Sequence, residues 1–106
     1  MFARRVYLHL KPNSVAELTQ RLEKEIIPLL RKQKGFQDEI TFVSQSGKEA
    51  FGISLWDNSQ NAEAYNRATY PEVTKILATV VEGTPQVETF EVSNSTFHKI
   101  AAAATA

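Results

Sequence analysis

Apolar and polar positions alternate from the start of the chain. In "FARRVYLHL", Phe2, Val6, Leu8 and Leu10 point one way while Arg5, Tyr7 and His9 point the other, the period of two that a strand requires. "KPNSVAE" interrupts this, and the period lengthens. Leu18, Leu22, Ile26 and Leu29 recur at steps of four and three, one face of a helix. Ser14, with Glu17 three residues on, predicts a capping box at its start. Arg31, Lys32 and Lys34 crowd its last turn, where the helix dipole favours cations, and Gly35 ends it. Period two returns in "FQDEITFVSQ", with Phe36, Ile40 and Phe42 on one side. A turn at "SQSGK" leads into "EAFGISLW", where Phe51, Ile53 and Leu55 alternate with Gly52, Ser54 and Trp56. "DNS" supplies the cap of a second helix over 60–81, whose apolar line is Ala62, Tyr65, Val73, Ile76 and Val80. "EGTP" breaks that helix, and "QVETFEV" is a last strand.

The order is strand, helix, strand, strand, helix, strand. With right-handed crossovers it predicts an α+β, ferredoxin-like βαββαβ fold, two helices covering one face of a four-stranded antiparallel sheet. Residues 1–93 form the single domain. Residues 94–106 are a tail whose Phe97 and Ile100 are apolar enough to dock and whose alanine-rich end frays. On the two central strands, alternation offers one set of Val6, Leu8 and Leu10 with Phe51, Ile53 and Leu55. The opposite set is Tyr7 and His9 with Gly52, Ser54 and Trp56. Neither set suits water, so the face away from the helices calls for a second layer. Another copy of the chain is the simplest one, giving a homodimer in which the tail reaches across to the partner.

Two prolines fall inside the expected helices, Pro28 in "EIIPLLRKQKGF" and Pro71 in "ATYPEV". Each removes a backbone hydrogen bond and kinks its helix, at a cost of roughly 3 kcal/mol unless the surroundings compensate. The Pro71 kink, beside Tyr65, Tyr70 and Trp56, predicts a gap between helix and sheet in which a small ligand fits.

Composition narrows the chemistry. The chain has 106 residues, one domain's worth, with 12 Lys plus Arg against 12 Asp plus Glu. That balance argues against nucleic acid or an anionic membrane as partner. There is no cysteine, hence no disulfide, thiolate nucleophile or thiolate-bound metal, and the two histidines, His9 and His98, lack metal-ligand spacing. No run resembles a secretory signal or a membrane span, so the expected compartment is the cytoplasm. Phosphate-loop, nucleophile-elbow and dinucleotide fingerprints are missing.

Three stretches in this order carry a family resemblance: "PLLRKQKGF" closing the first helix, "LWDNSQNAEAYNRATYPEV" from the third strand into the second helix, and "GTPQVETFEV" for the last strand. Over residues 2–93 the chain resembles the antibiotic biosynthesis monooxygenase domain of the dimeric α+β barrel superfamily. The resemblance implies a pocket between sheet and helices, and an activity among cofactor-free oxygenases of aromatic compounds or haem-degrading enzymes. Against the latter, the first strand lacks the family's Asn and the second helix lacks its haem-ligating His. The resemblance further implies that Trp56, Asn58 and Tyr65 bind the substrate and that Tyr70 hydrogen-bonds its oxygens. His9 is the candidate general base, since an imidazole accepts a proton near neutral pH. The expected activity is therefore cofactor-independent oxidation of a small aromatic or quinol-like compound. The alternative is a non-catalytic dimer that binds a small ligand or is purely structural, and fold alone does not choose between them.

Overall fold

The computed structural model describes residues 1–100. Strand β1 (Phe2–Leu10) is followed by helix α1 (Val15–Arg21), a π-helical turn (Leu22–Ile26) and helix α2 (Ile27–Arg31). Strands β2 (Phe36–Val43) and β3 (Glu49–Trp56) come next, then helices α3 (Ser59–Ala68) and α4 (Tyr70–Leu77), and strand β4 (Val81–Glu91). The sheet is antiparallel with order β2-β3-β1-β4, and both helical segments lie on one face. This is the ferredoxin-like α+β architecture that the alternation predicts. The core between helices and sheet gathers Leu8, Leu10, Leu18, Ile26, Leu30, Trp56, Tyr65, Val73, Leu77 and Val80.

Several local expectations are corrected. The capping box is not formed: Ser14 makes no cap bond and its hydroxyl turns to the Pro12 carbonyl. Only Pro28 sits within a continuous helical run, as expected. Pro28 occupies the first turn of α2, directly after a π-helical turn in which the Ile27 N–H reaches back five residues to the Leu22 carbonyl. Widening the helix at that point relieves the clash a proline ring makes with the carbonyl four residues earlier. The second expected helix is two: α3 ends at Ala68 with Thr69 as its C-cap, and Pro71 lies in the first turn of α4, where it has no hydrogen bond to lose. That helix also ends earlier than expected, at Leu77, and β4 begins at Val81.

The pairing of faces is corrected too. Phe2 faces Trp56, Arg4 faces Ser54, Val6 faces Gly52 and Leu8 faces Ala50. Val6, Leu8 and Leu10 therefore share the helix-covered face with Gly52, Ser54 and Trp56. The open face joins Tyr7 and His9 to Phe51, Ile53 and Leu55. Alternation fixes which residues share a side within a strand, but register decides which sides meet across strands. Register also shifts between Phe36 and Asp38. The irregularity leaves Phe36 under the helices, edge-on to Trp56 with ring centroids 5.6 Å apart, while Ile40 and Phe42 emerge on the open face. The open face is consequently apolar, with Ile40, Phe42 and Phe90 all close to half exposed. Beyond β4, the Val92 N–H bonds the Met1 carbonyl and His98 pairs with Asp38 of β2, so the tail crosses to the far edge strand of its own chain. The expected fraying of residues 101–106 lies outside the described residues.

Candidate functional site

Arg4 breaks the apolar line of β1. It shares a face with Phe2, Val6 and Leu8, and register sets it opposite Ser54 of β3, which in turn lies opposite Glu39 of β2. A polar row, Arg4–Ser54–Glu39, thus crosses three strands beneath the helices. The Arg4 side chain is almost fully buried, 3% exposed. Its Nη2 donates to Asn66 Oδ1 of α3 at 2.8 Å, and its guanidinium lies 4.5 Å from the Tyr70 ring centroid and 5.1 Å from that of Tyr65. Among the described residues it has no ion-pair partner. A buried guanidinium without a carboxylate is costly to hold unless amide and ring contacts offset its lost hydration.

The break between α3 and α4 explains how two tyrosines reach this cation. In one continuous helix, residues five apart point roughly 140° away from each other. Ending α3 at Ala68 and restarting at Tyr70 turns both rings to the same side, with centroids 6.1 Å apart. Burial pushes the Tyr65 phenol up to about 12, against the opposing pull of Arg4. Burial also raises Tyr70, again opposed by Arg4. Both phenols stay protonated at neutral pH and act as hydrogen-bond donors. The Tyr70 hydroxyl is buried with no partner, an unusual state for a phenol inside a protein.

At the other end of the row stands the Glu39 carboxylate. Thr41 Oγ1 donates to Glu39 Oε2 at 2.7 Å. Burial raises the Glu39 carboxyl above its ordinary range, and the Thr41 hydrogen bond opposes that rise. Gly52 makes room for it, because a β-carbon there would lie 2.8 Å from Glu39 Oε2. Trp56, completely buried, stands behind the row: its Nε1 donates to Ser54 Oγ at 2.9 Å and its ring lies 5.0 Å from that of Tyr65.

Arg4, Ser54, Glu39, Thr41, Tyr65 and Tyr70 line a half-open cavity of ≈ 60 Å³ with Leu18, Leu22, Ile26, Val73 and Leu77 as its apolar wall. It is smaller than the ~150 Å³ that holds a benzene molecule. A groove of ≈ 310 Å³ between the first helical segment and β2 adjoins it, and Leu18, Leu22, Glu39 and Thr41 line both. Glu39 and Thr41 therefore stand where groove and cavity adjoin, while Arg4 and Tyr70 line the cavity alone.

The expected site residues divide. Tyr65 and Tyr70 line the cavity beside the Pro71 break, as the sequence predicts. Trp56 supports the site from behind and is not on its lining. Asn58 is exposed and caps α3, accepting from the Asn61 N–H at 2.9 Å. His9 is exposed on the open face, edge-on to Tyr7 and across from Glu49 and Glu82. It cannot reach the cavity and shares no site with the two tyrosines, because the sheet lies between them. Arg4, Glu39, Ser54 and Thr41 escape the sequence reading. The available signal was Arg4, a cation at the same parity as Phe2, Val6 and Leu8.

No family profile matches the sequence, and no curated protein matches it. Solved structures do. A monooxygenase of Streptomyces coelicolor, solved with nanaomycin D, superposes with a TM-score of 0.76 at 16% identity, covering 92% of each chain. The chain shares the fold of the antibiotic biosynthesis monooxygenases. A protein so named from Bordetella bronchiseptica gives a TM-score of 0.74 at 14% identity, covering 88% of this chain and 97% of its own. A protein of unknown function from Nitrosomonas europaea gives 0.72 at 20% identity, covering 95% and 94%. The shared fold thus extends over nearly the whole chain.

Proposed function

We propose that this protein oxidises a small phenolic or quinol-like compound with dioxygen, using the cavity between helices and sheet together with the adjoining groove, and no cofactor. The observation that carries the reading is the buried, carboxylate-free Arg4 guanidinium lying over the ring of Tyr70, whose hydroxyl is buried without a partner. Together they are preorganised to hold an oxygen on which negative charge develops. A phenol that loses its proton becomes a delocalised anion able to pass an electron to dioxygen. One oxygen atom then bonds to the ring carbon para to the hydroxyl, the other leaves as water, and the phenol becomes a quinone. The protein's part is to orient the ring, exclude water and stabilise the anion. Tyr65 walls the ring, Tyr70 and Arg4 bind the oxygen, and Trp56 holds Ser54 and Tyr65 in place.

The working form in this reading is a homodimer joined through the open face of the sheet. Ile40, Phe42, Phe51, Ile53, Leu55 and Phe90 make that face too apolar to remain in water. The oxygenase reading is tested by oxygen uptake of metal-stripped protein with a panel of phenols and dihydroxynaphthalenes whose para carbon is free, comparing wild type with Tyr70→Phe. Uptake above autoxidation that falls in the variant supports it. Uptake no faster than autoxidation across the panel leaves a non-catalytic ligand binder as the better description.

A further inference from the structure

We infer that Glu39 is the group that accepts the substrate's hydroxyl proton, so that the cavity takes phenols in their neutral form with the O–H directed at this carboxylate. The inference rests on the reading above and supplies what that reading lacks, a base. His9 is excluded by the sheet. Of the titratable groups on the cavity lining, Arg4 has no acceptor and Tyr65 and Tyr70 remain protonated, which leaves Glu39.

Its placement fits a proton carrier. Glu39 is the titratable side chain common to the cavity and to the groove leading out of it. A proton received inside can therefore be handed to water outside without the side chain leaving its place on β2. The carboxylate is held for this: Thr41 fixes Oε2, and Gly52 keeps the approach open. The groups facing it are Arg4, Tyr65 and Tyr70 across the cavity and Glu23 along the groove. The step is a simple transfer. The substrate O–H bond breaks, its hydrogen bonds to a Glu39 oxygen, and the electron pair stays on the substrate oxygen. That charge is shared between this oxygen, held by Arg4 and Tyr70, and the ring carbons ortho and para to it. Burial raises the carboxyl toward neutrality, which improves it as a base.

The test uses the intact protein and two probes. The first is 4-nitrophenol, whose phenolate absorbs in the visible, at a pH where the free probe is partly ionised. Wild type is expected to bind the neutral form and suppress the phenolate band. Glu39→Gln, which removes the charge but leaves Arg4, is expected to bind it with the band retained. Identical bound spectra, or no binding by either protein, would overturn the inference. The second probe is 1,5-dihydroxynaphthalene, followed by oxygen uptake against pH. Glu39→Gln should lower the rate roughly 10²–10⁴-fold and abolish the acid limb of the profile. Thr41→Val, which removes the hydrogen bond that opposes the rise, should move that limb to higher pH. A Glu39→Gln protein that turns over with the limb intact would overturn the inference while leaving the oxygenase reading standing. No turnover by wild type, with the spectral difference present, would do the reverse.

Discussion

Each face of the sheet departs from the usual arrangement. The face under the helices, where an apolar core belongs, carries a charged row of Arg4, Ser54 and Glu39 around a small cavity. The face without cover, where charges belong, carries stacked Phe42 and Phe51, with ring centroids 4.9 Å apart, among Ile40, Ile53 and Leu55. Arg4 and Arg5 state the difference in adjacent residues. Arg4 is buried among tyrosines with no ion-pair partner among the described residues. Arg5 lies on the open face, paired with Glu88 at 2.8 Å and resting on Phe51. Desolvated charge without a partner costs stability and persists where it serves a ligand. Apolar surface left in water persists where it serves an interface. On the proposed reading, the covered face serves the chemistry and the open face the assembly.

The largest expected effect is on the covered face. Trp56→Ala removes a wholly buried ring that packs on Phe36 and Tyr65. It should destabilise the protein by about 3–5 kcal/mol in urea titration. A smaller loss would mean that the region behind the cavity is loosely packed. The open face is broken by Phe42→Asp, which puts a carboxylate into the apolar patch beside Phe51. This variant should sediment as a folded monomer at concentrations where wild type is a dimer. A wild type that is itself monomeric at micromolar concentration would remove assembly from the comparison. Of intermediate size, Arg4→Leu should weaken binding of a phenol probe by about 1.5–3 kcal/mol, the range for hydrogen bonds to charged groups.

The smallest effect concerns pH. Burial gives Glu39 a folded-state pKa above its unfolded one, so the folded chain holds the proton more tightly. Its contribution is favourable below the unfolded value and is lost as pH rises through the folded value. Glu39→Gln should remove that loss, so its stability should decline less than that of wild type between acid and neutral pH. Equal slopes in denaturant titrations across this window would show that the carboxyl is solvated.

Much of the fold was legible because alternation and helical period are local signals. Element order and the cap in "DNS" agree with the structure, whereas the first helical segment ends at Arg31, four residues before the Gly35 stop that the sequence predicts. The faces were not, since either parity satisfies alternation and only the β1–β3 register joins Val6 to Gly52 rather than to a residue of the apolar set. One irregularity near Gln37 then reversed the rest of β2. Pro71 was recognised as a disturbance but read as a kink, when it starts a new helix and turns Tyr70 toward Arg4. The polar half of the site stayed hidden for a related reason. Arg4 and Glu39 are ordinary charged residues in alternating strands until register places them on the inner face.

The adjacent arginines provide the most direct measurement. Oxygen uptake with 1,5-dihydroxynaphthalene should be compared for metal-stripped wild type, Arg4→Leu and Arg5→Leu at protein concentrations that keep each assembled. The account predicts uptake above autoxidation for wild type and Arg5→Leu and its loss in Arg4→Leu. Equal rates for the two variants, or a wild-type rate no greater than autoxidation, would contradict it.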